Sequence, residues 1–136
     1  MENKRLHLEL IQVVINRMAN NSFLLKGWSI TLISALLALT TIKPVIALLP
    51  AFMFWLLDGY FLHQELLYRK LYDTVRIKNN CDIDFSMNTL PFINLVDYWL
   101  KVTWSKTLLM FHGVIILVIT IITINSYFTH LCVELT

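Results

Sequence analysis

Residues 44–78 read PVIALLPAFMFWLLDGYFLHQELLYRKLYDTVRIK, and this stretch decides the fold. Its first half, 44–62, is apolar apart from Asp58, with Trp55 and Tyr60 toward its end. Its second half, 63–78, carries Glu65, Arg69, Lys70, Asp73, Arg76 and Lys78. Beyond Pro50 the only helix-weakening residue is Gly59, so the stretch predicts one long helix of about 50 Å at about 1.5 Å rise per residue. A hydrocarbon core is about 30 Å thick, so the apolar half suits a bilayer and the charged half projects as a stalk. Glu65–Arg69 and Arg69–Asp73 are spaced i, i+4 and Asp73–Arg76 i, i+3. Such pairs add about 0.2–0.5 kcal/mol each, enough to support a solvated helix without defining a site. Leu67, Leu71 and Val75 make a narrow apolar stripe on the stalk, a candidate interface for the first helix of this chain or for another subunit.

Composition agrees with a bilayer protein. The chain of 136 residues is 57% hydrophobic and 15% charged, where soluble domains are about 45–50% apolar and about 25% charged. That leaves room for one domain and no large soluble core. A formal charge of +2 gives no reason to expect direct nucleic-acid binding. Two cysteines, Cys81 and Cys132, are too few for a disulfide framework. The charged N-terminus is not followed by a short apolar run with a small-residue cleavage site, so the first span is expected to stay in the membrane.

Residues 1–20 form an amphipathic helix, with Leu8, Ile11, Ile15 and Met18 on a broad apolar face. It suits either the lipid surface or the stalk. Asn20, Asn21 and Ser22 are expected to break it and to cap the next helix. Residues 23–42 are then long enough to span, with Lys26 near the start, Trp28 at the interface, and Gly27, Thr31 and Ala35 recurring every fourth residue. A short connection leads to Pro44, which opens span two at 44–62, and Pro50 is expected to kink it. Residues 79–90 read as a loop on the stalk side. Residues 91–104, with Trp99 among their apolar positions, are too short to span and suit an interfacial helix. Residues 107–128 form span three, and its most hydrophobic part, 107–124, has His112 as its one ionisable side chain. The expected fold is an all-α integral membrane protein with three transmembrane helices and amphipathic cytoplasmic helices. In it Cys81 and Cys132 fall on opposite sides and cannot pair. Ten of the eleven basic residues fall on the stalk side and only Lys43 on the other. The positive-inside rule then sets the N-terminus in the cytoplasm and the C-terminus outside.

Ionisable residues in a span are costly and are functional candidates for that reason. Asp58 either pairs with Arg17 or Lys26 at headgroup depth or lines a cation path. His112 lies at a similar shallow depth, where it is either a satisfied buried histidine or part of a relay. A relay would need partners from the other spans. Arg17, Asn20, Asn21 and Lys26 are candidates to form a polar network with Asp58 and Glu65, setting the angle between the cytoplasmic helices and the membrane. The four histidines are scattered without metal-ligand spacing, and the three glycines form no phosphate loop. No catalytic constellation, cofactor site or metal site is expected.

Residues 17–28 (RMANNSFLLKGW), 57–65 (LDGYFLHQE) and 84–87 (DFSM) resemble those of small bacterial multi-span inner-membrane proteins. Similar small proteins accompany phage-defence systems as membrane-perturbing effectors. The resemblance covers most of the chain and implies no catalytic residues. It implies a bacterial inner membrane and a homo-oligomer in the lipid bilayer that perturbs the membrane or forms a pore. The alternative is a membrane anchor that recruits a soluble cytoplasmic partner.

Overall fold

The computed structural model describes residues 2–39 and 43–134, with side chains described up to Thr129. The connection at 40–42 and the expectations for His130, Cys132 and Glu134 lie outside these. Among the described residues the regular structure is entirely helical: α1 (Glu2–Ala38), a 3₁₀ turn (Pro44–Ala47), α2 (Leu48–Ile77), two further 3₁₀ turns (Asn80–Asp82 and Leu90–Leu95), α3 (Trp99–Thr103) and α4 (Lys106–Glu134). Three helical stretches, Glu2–Ala38, Pro44–Ile77 and Lys106–Thr129, are each long and apolar enough to cross a membrane.

The helix α2 is the hub. Antiparallel α1 packs along it, and α3 and α4 pack against it in turn. Two apolar cores lie one beyond the other along the α1–α2 pair. The stalk core joins Ile11 and Ile15 of α1 to Leu71 and Val75 of α2, with Leu8, Tyr68, Tyr72, Ile83, Met87 and Phe92 around them. The span core joins Ile33, Ala47, Ala51 and Ile119, with Leu36, Leu37, Leu48, Ile115 and Ile116 around them. The N-terminal segment therefore packs on the stalk. Leu67, Leu71 and Val75 are buried within the chain, so of the two partners expected for the stripe the chain itself covers it and another subunit does not. Leu71 and Val75 meet the facing stripe of α1, since both helices repeat near 3.6 residues, whereas Leu67 lies on the side of Leu90, Ile93 and Trp99.

Two local expectations are also corrected, at residues 20–22 and 91–104, and the surroundings of Pro50 are defined. The break at Asn20–Ser22 is absent, and α1 runs through it. Two asparagines cost a few tenths of a kcal/mol each in a helix interior, about the weakest term here. The inward face is continuous across them, and Ser22 turns its hydroxyl to Asp58 instead of capping a new helix. Pro50 stands in the first turn of α2, just after the change from 3₁₀ to α at Leu48. The span therefore changes its helical type in the turn that precedes Pro50, where the missing N–H costs least. Residues 91–104 are not one helix. A 3₁₀ turn ends at Leu95, Val96 and Tyr98 are extended, and α3 occupies only Trp99–Thr103. Asn94 and Asp97 favour turns over helix interiors, and α3 stops at Thr103, whose carbonyl accepts from Trp55 of α2.

The loop after α2 is tied back to the start of α1. Lys4 Nζ donates to the Lys78 carbonyl at 2.9 Å, and His7 Nε2 lies 3.1 Å from the Ser86 carbonyl. Between them Phe85 adopts φ 53° and sets its ring 5.4 Å from that of fully buried His7. A left-handed conformation costs a residue with a Cβ about 1–2 kcal/mol, which the ring contact and the His7 hydrogen bond offset. The exposed carboxyl of Asp84 is held below its ordinary 3.8, first by the Ser86 backbone N–H and also by Lys78. A depressed carboxylate stabilises the fold above its ordinary value, and that stabilisation is lost as pH falls through the lowered one. The Ser86 amide resonance is therefore expected to move upfield as pH drops below about 4, while an Asp84→Asn chain shows no such titration. An amide that titrates equally in both chains would remove Asp84 as the holder of this turn.

Candidate functional site

Between the two apolar cores lies a polar layer to which each long helix contributes. From α1 come Ser22 and Lys26, one turn apart; from α2, Asp58; from α4, His112. Lys26 Nζ is 2.6 Å from Asp58 Oδ2, and His112 Nε2 is 3.0 Å from the same oxygen. The Ser22 hydroxyl donates to Asp58 Oδ1 and accepts from Lys26 Nζ at 2.7 Å. Asp58 is 0% and His112 1% exposed, whereas Lys26 keeps 23% of its side chain exposed.

The hydrogen bonds assign the protons. Asp58 meets three donors and so fits as the carboxylate, which only accepts. His112 directs Nε2 at the carboxylate, and its buried Nδ1 has no partner among the described residues. The neutral imidazole with its proton on Nε2 fits that setting, because a proton on Nδ1 would be a buried donor facing nothing. Lys26 and Asp58 then cancel, and the layer is neutral as a whole. Removing two charges from water costs several kcal/mol per ion, and that cost is recovered only where the geometry is close and the remaining lone pairs are bonded. The Ser22 and His112 hydrogen bonds supply those last contacts.

Aromatic rings wall the layer. Trp55 stacks on His112 with centroids 5.9 Å apart and rings 11° from parallel. Phe111 meets His112 edge-on at 5.0 Å, and Lys26 Nζ lies 5.9 Å from the Phe111 ring. Trp55 Nε1 donates to the Thr103 carbonyl at 2.8 Å, and Trp104 leans on Trp55 at 4.9 Å. Gly59 faces Thr103 so closely that a Cβ there would lie 3.0 Å from the Thr103 Cα. The missing side chain of Gly59 lets α3 lie on α2, and α3 in turn aims α4 so that His112 reaches Asp58.

Of the expected network, Lys26, Asp58 and His112 come together. Arg17 and Asn20 are exposed, Asn21 is half-buried, and all three stand apart from the layer. Glu65 bonds Arg69 on its own helix at 2.7 Å and does not reach Asp58. Trp99 is half-buried, its indole N–H without a partner among the described residues. It lines a cavity of about 520 Å³ with His63, Gln64, Leu67 and Asn94. Ser22, Trp55 and the Gly59–Thr103 contact are parts of this site that the sequence reading missed. The i, i+4 spacing of Ser22 and Lys26 is the signal that could have found the first of them. Among the described residues no group of three or more His, Cys, Asp or Glu is placed to hold a metal ion.

The layer ties α1, α2 and α4 together through the one carboxylate of Asp58. Comparison with family models, curated proteins and solved structures gives no match for the chain.

Proposed function

We propose that this chain is a bacterial inner-membrane protein of three spans that assembles through them and perturbs the ion barrier of the membrane. It does so with the stalk and N-terminus in the cytoplasm and the C-terminus outside. The observation that carries this reading is the convergence of an ionisable residue from each span on one buried layer. Such residues are costly in lipid and are retained where charge or protons are handled. A layer bound by one carboxylate is a two-state element: it is closed while Asp58 is shared, and open once the helices part and water takes its place.

Assembly is supported by the outer side of α1. Gly27, Thr31 and Ala35 are exposed, and a Cβ on Gly27 would meet no atom within 4 Å. The Thr31 hydroxyl bonds the Gly27 carbonyl of its own helix, so this small-residue face carries no unsatisfied polar group. A second helix can approach such a face closely. Exposed Trp28, Tyr60, Tyr98 and Trp104 lie near the level of the layer, where an aromatic belt would mark the membrane surface. The resemblance to effectors of phage defence fits the same role.

Cells expressing the wild type together with its trigger are expected to lose membrane potential, read with a voltage-sensitive dye. Gly27→Leu with Ala35→Leu, which leaves the buried layer untouched, should cut that loss at least tenfold by keeping the helices apart. Inserted wild-type protein that leaves the potential unchanged under its trigger sinks the reading.

One observation favours the anchor alternative. On the stalk, Leu6, Leu10 and Val13 are exposed along the side of α1 turned away from His7, Ile11 and Ile15. An anchor would use that face to retain a soluble protein during purification and would leave the potential intact.

A further inference from the structure

In the span core Ile33, Leu36 and Leu37 of α1 and Ile115, Ile116 and Ile119 of α4 gather around Ala47 and Ala51. On the stalk side of that core lies a groove of about 610 Å³ lined by Ile30, Met110, Phe111, Val114 and Ile115, with Lys106 and Thr107 at its stalk-side end. We infer that this groove holds one acyl chain of an anionic phospholipid, whose phosphate sits on Lys106 at the start of α4.

Length selects the occupant. From Lys106 to Ile115 the groove runs about 14 Å along α4 at about 1.5 Å per residue. That is close to one leaflet, half of a hydrocarbon core of about 30 Å. It ends at Ile115, which packs against the span core. A helix from a second copy would continue across the whole core, whereas an acyl chain stops at mid-membrane. Charge selects the headgroup. Lys106 is exposed and makes no ion pair among the described residues, while neighbouring Lys26 is committed to Asp58. The first N–H groups of a long helix have no partner within it, and they favour an anion at that end. Thr107 adds a hydroxyl beside them. Basic sites between spans on the cytoplasmic side are suited to anionic headgroups. The occupied groove would press on Phe111, whose ring stands against both Lys26 and His112, so lipid identity would bear on the buried layer.

The inference needs the chain to sit in a bilayer but does not depend on conduction. Protein purified in mild detergent with equal phosphatidylglycerol and phosphatidylcholine is analysed by native mass spectrometry. The wild type is expected to retain one phosphatidylglycerol per chain, at least tenfold over phosphatidylcholine. Lys106→Glu should bring that preference below about twofold with retention of phosphatidylcholine unchanged, the discrimination expected of a single charge contact. Val114→Trp, at an exposed position on the groove wall, should abolish retention of both, and Met110→Trp repeats the test from the same wall if that chain folds poorly. Equal retention of both lipids by the wild type, or a profile unchanged in every variant, overturns the inference. So does efficient cross-linking of two chains through Val114→Cys, which would put protein in the groove. Normal lipid retention in a chain that never depolarises cells would defeat the proposed function and leave this site standing.

Discussion

An Asp58→Ala chain is expected to lose about 3 kcal/mol of stability, close to a third of what a small domain has. The substitution removes the only anion in the layer and leaves Lys26 and His112 directed at the same space. Breaking a buried ion pair by deleting one partner costs about 3–5 kcal/mol, because the surviving charge stays desolvated. The lower figure applies here, since the partly exposed Lys26 can turn toward the headgroups. The loss is measured as the shift in the folded fraction on titrating the purified protein with a denaturing detergent. A triple change, Lys26→Met with Asp58→Leu and His112→Phe, should recover most of it, because apolar groups of similar volume replace a buried ionic cluster at little cost. That triple chain would be stable yet unable to gate, which separates the structural role of the layer from its proposed role in permeability. An Asp58→Ala chain as stable as the wild type would mean that water already reaches these groups.

The next largest effect is expected at Gly59. A Cβ at this position would stand 2.8 Å from the Thr103 Cβ and 3.0 Å from its Cα, so the backbone of α3 must move. Overpacking of this kind costs about 1–3 kcal/mol. The movement would also break the Trp55–Thr103 hydrogen bond and separate Trp55 from Trp104. Gly59→Ala is therefore expected to lower the thermal midpoint and to alter tryptophan emission together. Thr103→Gly in the same chain should restore part of both by removing the Cβ and hydroxyl that collide. If Gly59→Ala leaves midpoint and emission unchanged, α3 is not fixed on α2 by this contact.

The long helices were legible because their signal is cumulative. Over residues 44–62 and 107–128 an unbroken apolar run of spanning length carries it, over 63–78 the spacing of apolar and charged residues does, and the helices found there match. Lys26 as a partner for Asp58 was legible too, since both stand at the same end of adjacent antiparallel spans. The signals that failed were local ones overruled by packing. Asn20, Asn21 and Ser22 announce a cap, but a buried carboxylate took the serine, and the facing apolar stripe held the helix through the asparagines. At 91–104 the apolar spacing suits a helix, whereas the acceptor that stops α3 is the Thr103 carbonyl bound by Trp55, a contact between residues distant in the chain. His112 was legible as a candidate from its depth, close to that of Asp58, but its direct bond to the carboxylate follows from how α3 turns the chain into α4.

The register that sets Lys26 opposite Asp58 also bears on biosynthesis. The two residues belong to consecutive spans of one hairpin, and α4 is made last. For a chain threading into a bilayer as it is translated, the first span would strand a lysine and the second an aspartate, but the two together cancel. Insertion of the hairpin as a unit thus removes the largest obstacle to membrane integration before His112 has left the ribosome. The final span then docks on a carboxylate that is already formed and waiting for a donor.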